Sequence, residues 1–493
     1  MAGTNVHGAI HRKSSGDRPS RTEGNRAPPL RPRDLISALP DDVVRRIFSF
    51  LPLEDVVKTS VLSKRWQSTW TTTNHLVFHG FHGLRRHNHG TYTFDFPSLV
   101  DSVLIRCTSP SVKSFHITHF KYDEACCPKL DLWLRFAEAC RVEDLCLVLI
   151  TGLQFLYKLP PFLYCLSWLV RLEVGLCCFS LSTTIRWPCL KVLLIEYSEL
   201  SDDVLERIVR GSPVLESLEL HWCRGVKNII IDSTSVKELV LIGDRFSNTE
   251  KIWAPHLLSL RLSGRLSSVF RLDDISSLVE AKIDFDVPGD MRMCCDLLTK
   301  LFEKLRKVPK IIIGGWCLQI LSVLEMKGVL SPLSNCQNLI LRAQVCQWDL
   351  PGIAYMLQSS QCLEKLVIHL TDLSLLKFAV DKESEARFNF DEEDLLCSRK
   401  GNFQCLAKHL KRVEITGFAN SFGSKHLLAL IKFLLGDTLE LEKMIIKADL
   451  HVQHGQKRLE TADLSKVLSV SRNVLSYRRA SQNAEVIFKF PCK

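Results

Sequence analysis

Leu215-Glu216-Ser217-Leu218-Glu219-Leu220-His221-Trp222-Cys223 is the stretch on which the fold turns. Its leucines stand at the first, fourth and sixth places, and the ninth is a cysteine. Leu218 and Leu220 alternate with polar residues, as in a short strand with one face inward. The same L-x-x-L-x-L pattern, with Val, Ile or Cys allowed for Leu, begins at Val112, Val142, Leu169, Leu190, Leu215, Val236, Leu257, Leu278, Cys336, Leu363, Leu410 and Leu441. From Leu169 to Leu278 the intervals are 21, 25, 21, 21 and 21 residues. One copy would carry no weight in a chain rich in leucine, but copies in near-constant phase define a repeat. The copy from Leu169 also has cysteine at its ninth place, Cys177.

Period and pattern are those of leucine-rich repeats. Each unit supplies one short strand, and a return segment, helical over Asp202-Asp203-Val204-Leu205-Glu206-Arg207-Ile208-Val209, covers the back. No unit closes a core alone, so neighbours must stack. The expectation is an α/β chain in which an irregular, curved leucine-rich-repeat solenoid spans 110–400, its parallel sheet on the concave face. The intervals of 30 residues after Val112 and 58 after Leu278 predict inserted helices or loops. Residues 380–403, with Glu383, Glu385, Asp391, Glu392 and Glu393, read as an acidic exposed insertion.

The chain before the repeats has another character. Residues 1–33 are rich in Arg, Gly, Ser and Pro and offer too little apolar surface to offset the entropy of ordering, so they read as a disordered basic leader. Leu39-Pro40-Asp41-Asp42 then opens a helix, with a carboxylate expected at or near its N-cap. Val43, Val44, Ile47, Phe48, Phe50 and Leu51 follow at helical spacing. Pro52 stops that helix, Leu53-Glu54-Asp55 starts a second, and a third is expected from Val61-Leu62-Ser63-Lys64-Arg65-Trp66 to Trp70. Three short helices cannot bury all these apolar groups among themselves, and the surplus predicts a partner surface. Residues 79–109 read as a linker, and the histidines His75, His79, His82, His87 and His89 as a polar loop rather than a zinc site, since no ligand set of suitable spacing lies beside them.

Residues 34–78 resemble the F-box family nearly position by position, through both Leu-Pro pairs, Val61-Leu62-Ser63-Lys64-Arg65-Trp66 and Trp70. Residues 401–493 look like the FBD module that follows F-box and repeat segments in a large plant family. That likeness is carried by Leu410 to Phe418, Leu427 to Leu435, Leu441-Glu442-Lys443-Met444, Arg479-Ala480-Ser481 and Ala484 to Phe488, although Ala419 to Lys425 lacks the usual acidic residues. The resemblance implies a substrate-recognition subunit of a Skp-cullin-F-box ubiquitin ligase. Its F-box would bind a Skp-family adaptor, and through it a cullin, while the repeats hold a target protein. By matching position, the adaptor-facing set is Leu39, Pro40, Ile47, Leu51, Pro52, Val56, Leu62 and Trp66, with Lys64 and Arg65 adding contacts to an acidic partner; Ile47 and Val56 suit the F-box's own core equally well. Exposed strand residues Glu216, Glu219, Lys237, Glu238, Ser259 and Arg261 form the expected target surface. The alternative is a repeat scaffold or sensor that engages no ligase.

Composition agrees with a non-catalytic binding protein. Hydrophobic residues make up 46% and charged residues 24%, as in ordinary globular chains. The formal charge of +10 is fed in part by scattered basic residues of the leader, a weak basis for nucleic-acid binding. Residues 1–30 lack the apolar stretch of a signal peptide, and the longest apolar run, Ile311 to Leu324, is too short and too interrupted to span a membrane. Many of the nineteen cysteines lie in apolar runs such as Leu145-Cys146-Leu147, which favours buried free thiols in a reducing, nuclear or cytoplasmic setting over a disulfide framework. No P-loop, G-x-G-x-x-G, H-E-x-x-H or G-x-S-x-G occurs, and 383–393 lacks EF-hand spacing. No cofactor is expected. A small-molecule co-ligand stays open, with Trp222, Trp253 and Trp316 equally suited to a pocket or to the core.

Overall fold

Pro40 and Pro52 begin the two opening helices in the same way. In the computed structural model each proline is the N-cap, extended at ψ 149° and 146°, and its carbonyl accepts the first helical bonds. The ring fixes φ near the value a helix entry needs, so the paired Leu-Pro motifs are two copies of one device. No side chain caps either helix. The expected N-cap carboxylates instead occupy the first turn of α1 (Asp41–Phe48), where Asp42 pairs with Arg45 and Asp41 with Arg65. α2 runs Leu53–Lys58. The third predicted helix breaks into a 3-10 turn at Thr59–Val61, the short α3 (Trp66–Thr69) and a second 3-10 turn at Trp70–Thr72. Ser63 interrupts it: its hydroxyl accepts the Trp66 amide at 3.2 Å in place of a helical carbonyl.

The structure describes residues 38–80, 96–109, 111–150, 156–180, 183–246, 249–266, 269–285, 291–371, 390–398, 402–417, 424–447 and 461–490. The leader, His82, His87, His89, Glu383 and Glu385 lie outside them.

Fifteen strands form one parallel sheet whose spatial order is the chain order. They are His75–His79, Ser114–Lys121, Asp144–Ile150, Arg171–Gly175, Val192–Glu196, Ser217–His221, Glu238–Phe246, Ser259–Leu266, Glu280–Phe285, Lys310–Ile313, Asn338–Ala343, Lys365–Leu370, Arg412–Thr416, Lys443–Lys447 and Glu485–Lys489, here β1 to β15. Every first position of the repeat pattern is buried, and every corresponding strand begins two residues after it. Three strands escape the pattern. The 58-residue interval after Leu278 hides one, since Val308-Pro309-Lys310-Ile311-Ile312-Ile313 is a further repeat that supplies β10. β1 and β15 have Thr73 and Asn483 where the others have an apolar first residue.

The return segments follow the interval lengths. The 25-residue interval after Leu190 holds α6 (Asp202–Gly211), whose Ser201 hydroxyl accepts the Val204 amide. The repeats from Leu215, Val236 and Leu257 return instead through Asn228–Ile230, Lys251–Trp253 and Arg271–Leu272, a small second parallel sheet on the back. Helices cover the later units: α7 (Met291–Leu305), α8 (Gly315–Met326), α9 (Leu350–Ser359) and Lys425–Asp437. The apolar run from Ile311 is therefore a strand plus α8, and among the described residues no helix is long and apolar enough to cross a membrane.

Three segments differ from their expected state. The linker contains α4 (Phe96–Arg106), with Val100 and Val103 buried and Asp101 bonded to Lys129 and Trp133 of α5 (Cys127–Ala139). The described part of the acidic insertion is a helix, Glu392–Ser398, that buries Leu395 and Leu396 and pairs Glu392 with Lys425. His75 and His79 lie on β1, not in a loop, bonded to Ser114 and Thr118.

In six repeats the eighth residue is left-handed. His119 and Leu176 have φ of 57°, Trp222 of 51° and Tyr197 of 46°, with Gly264 and Gly417 in the same place at 103° and 77°; His119 and Gly264 lie within strands that continue past them. The amides of Leu176, Tyr197 and Trp222 still donate to the next strand, at 3.0, 2.8 and 2.6 Å, so each closes the ladder before the chain leaves it. The ninth residue secures the turn. Cys177 Sγ donates to the Gly175 carbonyl at 3.4 Å and Cys223 Sγ to Ile195 at 3.3 Å, while Ser198 plays this part in the repeat between them, its hydroxyl on the Glu196 carbonyl. Burial pushes the Cys223 thiol up to about 12, which keeps it a neutral donor. Every described cysteine is a free thiol.

Gly264 also faces the backbone of the preceding strand: a Cβ there would lie 1.9 Å from the Gly243 carbonyl oxygen. Gly264→Ala is expected to lower the thermal midpoint, at a cost above ~1 kcal/mol. Gly436, inside the helix Lys425–Asp437 with open space around it, gives the opposite sign: Gly436→Ala is expected to stabilise by about 0.5–1 kcal/mol. Thermal unfolding followed by circular dichroism checks both.

Candidate interaction surfaces

The helical domain buries one set of its apolar residues and exposes another. Val44, Phe48, Leu53, Val56, Trp66 and Trp70 are core, with Phe48 edge-on to Trp66 at 5.7 Å between centroids. Val56 and Trp66, expected to face the adaptor, are 2% and 4% exposed and support the surface from beneath. A residue enclosed by its own domain has no area left to offer. Leu39 and Ile47 are half-buried, and Pro40, Leu51, Pro52, Leu62, Lys64 and Arg65 are exposed. Sequence reasoning missed the two most exposed apolar groups of this domain, Phe50 at 73% and Val61 at 85%, and the less exposed Val43. For Val43 and Phe50 the signal was the apolar stripe on and just after α1, wider than one buried face requires. Arg46 lies over the Phe50 ring at 5.3 Å.

The second surface is the open face of the sheet. Alternation places the first, third and fifth residues of each strand there, and the parallel register aligns them in rows that run from strand to strand. Glu219, Glu238, Ser259 and Arg261 lie on this face, and Glu238 meets Arg261 at 3.2 Å and the Ser217 hydroxyl at 3.3 Å. Glu216 and Lys237 sit at exposed positions one residue ahead of their strands, Glu216 paired with Lys191 at 2.9 Å.

The expected set left out the most ordered charges. His221 Nδ1 lies 3.2 Å from Glu196 and Nε2 3.3 Å from Glu219. Burial alone would depress the imidazole, but bonds and charges from the two carboxylates outweigh it and raise it to about 9. The His221 hydrogen bond in turn holds the Glu219 carboxyl below its ordinary value against the effect of burial. Nearer the helical domain, Asp144 takes His116 at 3.0 Å and the Ser114 hydroxyl at 3.3 Å. Tyr197 and Trp222 stack at 4.7 Å, within 5° of parallel, on the rim beside His221. Trp222 therefore belongs to the rim, not to the core. Among the described residues no group of His, Cys, Asp and Glu is arranged to hold a metal.

A helical domain with an exposed apolar surface, joined to a parallel sheet of stacked repeats, defines the class: an F-box followed by leucine-rich repeats. Comparison with known proteins agrees. Residues 36–77 match the F-box domain, and residues 130–276 match the leucine-rich repeats of the FBD-associated F-box protein At5g56370. The F-box/LRR-repeat protein At3g03360 of Arabidopsis thaliana is 32% identical over 365 residues, 68% of this chain and 70% of that one. The F-box/LRR-repeat protein At5g02910 of the same plant is 29% identical over 426 residues, 84% of this chain and 88% of that one. The chain belongs to the F-box/leucine-rich-repeat family of plants.

A raised histidine gives stability that is complete below its unfolded value near 6.5 and is lost as pH rises through the folded value of about 9. His221→Gln removes that contribution. The stability difference between wild type and His221→Gln is expected to be largest near pH 6.5 and to shrink by pH 9.5, measured by urea denaturation at both.

Proposed function

We propose that the chain is the target-recognition subunit of a Skp-cullin-F-box ubiquitin ligase. The observation that carries this reading is the exposed apolar surface on a small domain of F-box sequence. Phe50, Leu51, Val61 and Leu62 stand in water at the ends of helices whose core is already complete, which a soluble chain tolerates where a partner covers them. In this reading Leu39, Pro40, Ile47, Leu51, Pro52, Leu62, Lys64 and Arg65 contact a Skp-family adaptor, joined by Val43, Phe50 and Val61. Val56 and Trp66 hold the surface in shape. The open face of the repeats binds a target protein in the nucleus or cytoplasm.

The mechanism is proximity. The adaptor and cullin hold a ubiquitin-conjugating enzyme, and the repeats hold the target within its reach. Transfer to a target lysine gains from the effective concentration of the two reactants, so this chain contributes binding and orientation and no reacting group.

A purified Skp-family adaptor titrated against the chain tests the proposal. Leu62→Ala is expected to weaken binding by about tenfold or more with the thermal midpoint unchanged, since truncating an interface anchor typically costs ~1–2 kcal/mol. Val56→Ala is expected to lower the midpoint as well, by ~1–3 kcal/mol of lost core burial. A well-folded chain that binds none of a representative panel of adaptors would return the protein to the scaffold reading.

A further inference from the structure

We infer that the open face of β11 to β15 receives an acidic segment of the target protein that also carries aliphatic side chains. The inference rests on the repeats being the target-binding part, and it gives that part a chemistry.

Two rows of cations border this half of the face. The first strand positions, aligned by register, run Asn338, Lys365, Arg412, Lys443 and Glu485, cationic over β12 to β14, and the fifth positions hold Arg342, Lys447 and Lys489 with His369 and Thr416 between them. The rows stand ~13 Å apart, four residues of extended chain. The floor between them is largely aliphatic, with Ile340, Val367 and Ile445 at the third positions of β11, β12 and β14. A surface of this form presents apolar area and positive charge together, along a line that crosses the strands.

One carboxylate stands in the floor. Glu414 bonds Lys447 and lies 3.9 Å from Lys365 and 3.8 Å from Arg412. It draws three cations inward and neutralises only one of them. Arg342 already meets Asp284 of β9 at 3.7 Å, and its side chain and that of Arg412 are 46% and 48% exposed. Carboxylates arriving from a partner would complete the pairing of Lys365, Arg412 and Lys443, while aliphatic side chains of the same segment cover the floor. A nucleic acid fits less well. The third positions of these strands offer no aromatic ring for base stacking, Glu414 repels phosphate, and the face beyond Arg261 turns acidic at Glu238, Glu219 and Glu196. That change of sign gives the bound segment a direction: its acidic part lies over β12 to β14, short of Glu485 on β15.

Selection from a displayed library of random peptides, using the full chain, tests the inference. Enriched peptides are expected to combine Asp or Glu with Leu, Ile or Val, and to lose affinity as salt rises. Lys365→Gln/Arg412→Gln is expected to weaken their binding at least tenfold, whereas Lys158→Glu/Arg210→Glu, on the back of the repeats, leaves it unchanged. Because the first pair touches Glu414, Lys443→Gln, which removes a cation of the same row and introduces no charge beside Arg412, supplies an independent loss of affinity. Basic or uncharged consensus peptides, no enrichment at all, or binding indifferent to these face variants would overturn the inference. So would a single-stranded oligonucleotide that displaces the peptides at equal or lower concentration. Adaptor binding, measured on the same samples, separates the two ideas: adaptor loss with peptide selection intact counts against the ligase reading alone.

Discussion

A strand in this protein hides its leucines only because another strand lies beside it. Leu218 and Leu220 point into a core that α6 and the return segments close from behind, and that core continues without a break from Val44 in the helical domain to Ala484 near the last strand. The parallel ladder imposes the rest. It fixes which residues share a row on the open face, and where Leu176, Tyr197 and Trp222 make the last ladder bonds the chain leaves the sheet through a left-handed residue. For Tyr197 and Trp222 that conformation costs on the order of 1–3 kcal/mol each. Ladder bonds from their own amides, and the thiol or hydroxyl of the ninth residue on a nearby strand carbonyl, hold the turn in place.

The same ladder joins the two ends of the molecule's work. β1 follows the last 3-10 turn of the helical domain after two residues and is already part of the sheet. Thr108 and Thr71 bond each other across that junction, and the Lys113 amide donates to Asn74 at 2.7 Å. The F-box is thus fastened to the solenoid through paired backbone, not through an open tether. In the proposed role as a ligase subunit such a joint is an advantage, since slack between the two surfaces would dilute the effective concentration of the two bound partners.

How much of this could be read from the residues depended on whether a position answers to its local pattern or to its neighbours. Leu169, Leu215 and Leu257 announce their strands because each sits in an unbroken motif at a steady interval. Val308 was concealed by the apolar run after it, where a strand and a helix share one hydropathy signal. Thr73 and Asn483 begin strands that only pairing with an existing edge can define. On the F-box, apolar spacing marked both core and surface, and it could not say that Trp66 turns inward while Phe50 and Val61 turn out. The six residues expected to face a target were found by alternation alone, which gives the face but not its electrostatics. His221, Glu196 and Glu219 come from two repeats and acquire their meaning only when the register brings them within hydrogen-bond reach. The closing motif Arg479-Ala480-Ser481 is similar: Ser481 bonds the Leu441 carbonyl at 2.7 Å, tying the turn before the last strand to the neighbouring repeat, and Arg479 bonds the Ala484 carbonyl at 2.9 Å within that turn.

Strand order that follows chain order also bears on how the protein is made. Each new strand meets its partner in residues completed shortly before, so the sheet can lengthen from its first strand while the ribosome is still adding the next repeat. Nothing already assembled must reopen to admit a later segment, and the contacts formed at each step are local in sequence, the condition under which chains fold fast. During that growth the newest strand is always an unpaired edge. The leucines behind it stay exposed until one further repeat arrives, so each repeat shields the one made before it.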